Sequence, residues 1–159
     1  MIKVYQDMTV GTHGVGNCFA ACLASLLELP LKDMPSILPT DKGSHNYWEM
    51  WLKDRGYELD TFSPHSPPKG YSIATVTTKR TYPEGHSKAG GPIYHACVFW
   101  GSSLVHDPFP LGSDITDVCY YRELIVLPEA ERTLHEIMKV DGYCRHGYRK
   151  DCSACDYTG

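Results

Sequence analysis

Between Cys18 and Leu29 the chain reads CFAACLASLLEL, twelve residues in which Ser25 and Glu28 are the only clearly polar side chains. A helix with so little polar surface has no face to give to water, so it belongs at the centre of a fold with other elements packed around it. Pro30 ends it. The residues before it, GVGN, are rich in glycine, so the chain passes from a pliable loop straight into a buried helix. The residue at that junction is Cys18. Unpaired backbone N–H groups and the positive end of the helix dipole converge on such a position, and both favour the thiolate over the thiol.

The rest of the chain supplies the surroundings. SHNYWEMWLKDRG reads as an amphipathic helix: Ser44 can N-cap it, Trp48, Trp51 and Leu52 share a face, and Gly56 suits its C-terminal end. Strands are expected at Tyr71–Thr78, Ile93–Trp100, Leu104–Asp107 and Val118–Leu127, where β-branched and aromatic residues gather. PEAERTLHEIMKV, from Pro128, reads as a terminal helix with its apolar residues on one face. The polar stretch from Lys79 to Pro92 has the glycine and proline content of a loop that could act as a lid. At 159 residues and 42% hydrophobic content, there is material for one ordinary core. The expected class is therefore α+β, with a central N-terminal helix on an antiparallel sheet of about four or more strands. The domain is expected over 1–128, with a helix and a Cys/His-rich tail over 129–159.

Charge and cysteine use exclude several functions. Fifteen Lys plus Arg against 19 Asp plus Glu leave a net charge of −4, with no basic stripe to track a phosphate backbone, so nucleic acid is not an expected partner. MIKVYQDMTV lacks the pattern of a signal peptide, and no apolar run approaches the roughly 18 residues of a membrane span. A soluble, cytoplasmic protein is expected. Seven cysteines, an odd number, then point to reduced thiols that pack, bind metal or react.

Chemistry is concentrated in IYHACVFWGSSLVHDPFP. Two apolar strands flank Gly101-Ser102-Ser103, which suits a hairpin turn. Folding back there brings Asp107 across from the neighbourhood of His95 and Ala96, while alternation along the strand sends His106 to the opposite face. His95 and Asp107 can then hydrogen-bond. An imidazole beside Cys18 would deprotonate it and later protonate a leaving amine, and a carboxylate behind the imidazole would fix its tautomer. The backbone N–H of Cys18 is a natural oxyanion donor, and either Gln6 or Asn17 could supply a second from its side-chain amide.

NCFAACLASLL, YHACVF and HDP together resemble the papain-like cysteine peptidase fold, in particular its compact bacterial and phage-encoded members related to double-glycine peptidases. The resemblance covers roughly Lys3 to Pro110. It implies Cys18 as nucleophile, His95 as base, Asp107 as orienter and Gln6 as oxyanion-hole glutamine, although Gln6 lies twelve residues before Cys18, farther than is usual in the family. The implied activity is thiol-dependent hydrolysis of an amide, peptide or isopeptide bond through a thioester, with no cofactor needed for catalysis. Peptides, proteins or small amides are the implied substrates. A transglutaminase-like acyl transfer would use the same residues, and an inactive papain-like module, for instance a phage protein binding a host factor, would keep the fold alone.

Other readings attach to the same residues. Cys22, Cys97 and Cys119 are read as core, His95 could be a hydrogen-bonded core histidine, and Asp107 could merely cap a turn before Pro108. In the tail, Cys144, His146, Cys152 and Cys155 offer zinc ligands, with Cys152 and Cys155 at chelating spacing, and could close a structural zinc knuckle or a zinc-dependent interaction domain.

Overall fold

The computed structural model describes residues 1–10, 16–35 and 44–129. The tail with Cys144, His146, Cys152 and Cys155, the terminal helix after Glu129 and the middle of the loop before Cys18 lie outside the described residues, as does the side chain of Ser44.

The class is α+β. Helix α1 spans Cys18–Leu27 and α2 spans Ser44–Lys53, with a short 3-10 turn at Leu31–Asp33. Five strands follow: β1 Tyr57–Phe62, β2 Tyr71–Thr81, β3 Pro92–Trp100, β4 Ser103–His106 and β5 Ile115–Val126, in the sheet order β1-β5-β2-β3-β4. The pairings of β2 with β3, β2 with β5 and β3 with β4 are antiparallel. β1 was not expected from the sequence, because YELDTF sets charged residues where a sheet reading looks for apolar ones. No helix among the described residues is long and apolar enough to cross a membrane.

Two compact units are distinguished, residues 1–39 with 60–123, and residues 40–59 with 124–159. In the second, Leu52 is fully buried, Trp48 and Trp51 meet edge to face, and Arg55 lies over the Trp51 ring. Gly56 takes a positive φ of 76° after α2, a conformation that glycine adopts without steric cost.

In the first unit α1 packs on β3 and β2. Its buried residues run without a break from Ala20 to Ser25, as its composition requires. The polar exception is accounted for: Ser25 Oγ donates to the Ala21 carbonyl at 2.8 Å and accepts the Val4 N–H at 3.0 Å, which fastens the N-terminal segment to the helix. The helix stops before Pro30, with Glu28 left-handed at φ 56° and its N–H returned to the Ala24 carbonyl. Across the sheet, Ala74, Val76, Cys97, Phe99 and Tyr121 form one buried cluster. The segment after β2 is no open strap: Tyr82 N–H donates to the Gly91 carbonyl and Gly90 N–H to the Tyr82 carbonyl, which closes the 82–91 loop on itself.

The β3–β4 hairpin decides which side chains meet. Trp100 pairs with Ser103 and Phe99 with Leu104, but Val98 pairs with His106, so Val105 is an extra residue, a β-bulge. A regular hairpin would have set Asp107 opposite Ala96, on the face away from His95, and His106 opposite Cys97, on the face of His95. The bulge reverses both. His106 shares a face with Val98, and one residue further Asp107 falls opposite Cys97, on the face of His95. The expected partnership of His95 and Asp107 thus depends on an irregularity that regular strand counting does not contain.

Deleting Val105 should therefore exchange the two residues. In the deletion variant the His95 imidazole, held at about 11 in the native chain, should titrate back toward its ordinary value near 6.5, read by NMR of the ring protons. An unchanged titration would show that the bulge does not select the face.

Candidate active site

The site is assembled from the start of α1, the middle of β3 and the turn after β4. Gly16 permits the approach of the first: a Cβ there would stand 3.2 Å from the Met8 carbonyl oxygen, closer than ordinary packing allows. Asn17 occupies the N-cap position but makes no capping bond. Its Oδ1 instead accepts the Met8 N–H at 3.0 Å and its Nδ2 donates to Asp7 Oδ1 at 2.7 Å, so the side chain pins the N-terminal segment beside the helix.

Cys18 is thereby left with its thiol turned to the sheet, hydrogen-bonded to the His95 side chain and to the backbone N–H groups of Phe19 and Ala96. The Ala96 N–H is available because β4 pairs with β3 only from Val98 onward. Burial pushes the Cys18 thiol up, but the hydrogen bond and charge of His95 and the two backbone donors outweigh it, and the net direction is down.

His95 is buried and donates from Nε2 to Asp107 Oδ1 at 2.8 Å. With Nε2 committed, Nδ1 remains for the Cys18 sulfur. Burial favours the neutral ring, yet hydrogen bonds to Asp107, Cys18 and Cys97 and the Cys18 charge raise the imidazole to about 11. Both shifts run toward the charged forms, the Cys18 thiol downward and the His95 imidazole upward.

Asp107 hydrogen-bonds His95 and also accepts N–H groups of the turn that follows it. Its Oδ1 also accepts the Phe109 N–H at 2.8 Å and Ser113 Oγ–H at 3.2 Å, and its Oδ2 accepts the Ser113 N–H at 2.6 Å. Burial raises this carboxyl, but His95 and the backbone N–H of Phe109, with Ser113 behind them, bring it down to about 2. Arg80 closes the rear: its Nη2 donates to Ser113 Oγ at 3.2 Å and its guanidinium lies 4.1 Å from the centre of the Phe109 ring, which meets His95 edge on.

Gln6 is buried and reaches this region through its backbone, donating N–H to the Pro108 carbonyl at 3.0 Å. Its side-chain Nε2 donates one proton to the Met8 carbonyl at 3.0 Å, and its Oε1 has no hydrogen-bond partner among the described residues. His106 stands apart, with Nε2 2.8 Å from the Val4 carbonyl oxygen and its ring against Tyr5.

Two residues were missed by sequence reasoning. Ser113, six residues beyond Asp107, was signalled only by the proline- and glycine-rich PFPLG turn that ends at it. Cys97, read as core, is fully buried but also hydrogen-bonds the His95 ring, and alternation along β3 was the available signal. Cys22 is core, its thiol pushed well up by burial, whereas Cys119 is only half-buried. Compared with protein-family models, curated proteins and solved structures, the chain finds no match in any of the three.

The two perturbed charges set a window for stability. Asp107 is lowered to about 2 from its ordinary value near 3.9, so its contribution is present above about pH 4 and lost as pH falls through 2. His95 is raised to about 11, so its contribution is full below about pH 6.5 and lost as pH rises through 11. Urea midpoints should therefore be highest between about pH 4 and 6.5, with the acid limb flattened in Asp107→Asn. An acid limb of equal steepness in that variant would assign it to other carboxylates.

Proposed function

We propose that the chain is a papain-like, thiol-dependent hydrolase acting on an amide, peptide or isopeptide bond. The observation that carries this is the continuous hydrogen-bonded series from the Cys18 sulfur at the start of α1 through the His95 ring to the Asp107 carboxylate.

In the proposed reaction the Cys18 thiolate attacks the carbonyl carbon and the oxygen takes the negative charge. The Cys18 backbone N–H faces that oxyanion, and the Gln6 amide, with one Nε2 proton unspent, is the second donor. The C–N bond breaks as the His95 imidazolium gives its proton to the departing amine, leaving a thioester. Water, deprotonated by His95, then attacks the thioester; the C–S bond breaks, the acid departs and the thiolate–imidazolium pair is restored. Asp107 stays ionised throughout and keeps the ring oriented. An amine in place of that water would make the same site an acyltransferase, which product analysis with an added amine distinguishes. The nucleophile requires a reduced thiol, consistent with a cytoplasmic setting, and the four described cysteines are free.

Iodoacetamide with peptide mapping tests the central claim. Alkylation at pH 6–7 should fall on Cys18 and exceed that of an ordinary thiol of pKa about 8.5 by tenfold or more, with Cys22 and Cys97 unlabelled in the folded chain. His95→Ala should remove the excess and His106→Ala should not; the reverse ranking would sink the assignment. On any cleavable amide, Gln6→Ala should lower kcat by about 10²–10³ with little change in KM. Asn17→Ala should instead lower the melting temperature, since it frees Asp7 and Met8. Loss of turnover at Asn17 alone, with melting unchanged, would move the oxyanion hole beside the thiolate.

A further inference from the structure

Cys97 takes no part in the proposed reaction, yet its position is specific. It is fully buried, and its sulfur, a His95 ring nitrogen and an Asp107 carboxylate oxygen all lie within 4.8 Å of one another. Three donors on one face of the hairpin, sulfur, nitrogen and oxygen, form a ligand set suited to zinc. A tetrahedral ion with bonds of about 2.0–2.3 Å needs its ligand atoms about 3.4–3.8 Å apart, so the His95–Asp107 pair opens from 2.8 Å to admit it. The second layer is present already, because Ser113 and the Phe109 N–H orient the carboxylate.

We propose that Cys97, His95 and Asp107 form an inhibitory zinc site that shares the imidazole with Cys18. Zinc enters where the Nε2 proton now lies and displaces it, along with the thiol proton of Cys97. The ring, neutral and ligated through Nε2, carries its remaining proton on Nδ1, the nitrogen that faces Cys18. That nitrogen has no lone pair to take a proton from water, and a neutral ring bound to zinc is a far weaker acid toward the departing amine than the imidazolium it replaces. Zinc therefore removes the acid and base of the proposed reaction without touching Cys18, and a chelator restores them. The binding half stands on geometry alone; the inhibitory half rests on the function proposed above.

The test uses the full chain carrying Cys152→Ser and Cys155→Ser, so that tail thiols do not contribute. Cobalt(II) should bind one ion per chain with a near-ultraviolet thiolate-to-metal absorption. Cys97→Ala should abolish that absorption and Cys97→Ser should weaken binding by more than about tenfold. Zinc should slow hydrolysis of p-nitrophenyl acetate, whose deacylation needs the His95 base, by tenfold or more in the parent and leave it unchanged in Cys97→Ala. Absence of the absorption, or its persistence in Cys97→Ala, overturns the site; equal slowing by zinc in Cys97→Ala overturns the inhibitory route, since zinc would then be binding Cys18 itself. If metal-free Cys18 alkylation proves independent of His95, the hydrolase reading fails while a Cys97-dependent cobalt absorption still stands.

Discussion

The 2.8 Å bond between His95 and Asp107 organises the first unit of this protein. Both groups are largely removed from water, with side-chain exposures of 3% and 13%, and a charged pair in such a place costs several kcal/mol per ion to desolvate unless its remaining hydrogen-bonding capacity is met. On the carboxylate it is met in full by Phe109 and Ser113. The turn from Asp107 to Ser113 is thus shaped around one side chain, and the PFPLG run supplies the bends that aim those donors inward. Removing the carboxylate would leave a buried imidazolium and a turn with idle N–H groups, so the interaction has a structural role whatever chemistry the site performs.

Three thiols near this pair respond to it differently, and the contrast separates activation from proximity. Cys18, Cys22 and Cys97 are all buried enough for desolvation to raise them, and each feels the charges of its neighbours. Only Cys18 is lowered. Cys22, one turn deeper in α1, meets the negative charges of Cys18 and Asp107 with nothing to offset them. Cys97 has the His95 hydrogen bond but is raised by the charges of Asp107 and Cys18, and no backbone donor is among the influences that lower it. Cys18 combines the imidazolium with N–H groups from a helix start and an open strand edge, and that combination outweighs burial.

Much of this was legible in the sequence. The all-round apolar segment required a central helix, and the strands and turn of the hairpin follow from composition at Ile93–Trp100 and Gly101-Ser102. What was not legible depends on counts and contacts that no pattern carries. The Val105 bulge changes a register by one residue, and a single step in register moves every following side chain to the other face. Asp107 reached the expected partner because of that step; regular counting alone would have presented His106. β1 was hidden because a strand at the edge of a sheet tolerates the polar residues of YELDTF. Ser113 and Cys97 were hidden because their roles come from a turn closing on itself and from a neighbour two places along the strand.

The long separation between Gln6 and Cys18 has an explanation of the same kind. Sequence distance does not by itself exclude the proposed role of Gln6, because residues outside the intervening stretch position it. Gln6 is hung by its backbone on Pro108, directly after the carboxylate, while Met8 is held to Asn17, directly before the thiol. The Met8 carbonyl then receives both the Gln6 amide and the Asn17 N–H, which ties the two ends of the loop together at one atom. Chain length between two such anchors matters little, since each doubling of loop length costs only about 0.6 kcal/mol. The N-terminal segment belongs to the site through Pro108, Ser25 and Asn17, three attachments distant in sequence, and the glutamine's position follows from those attachments rather than from its place relative to the helix.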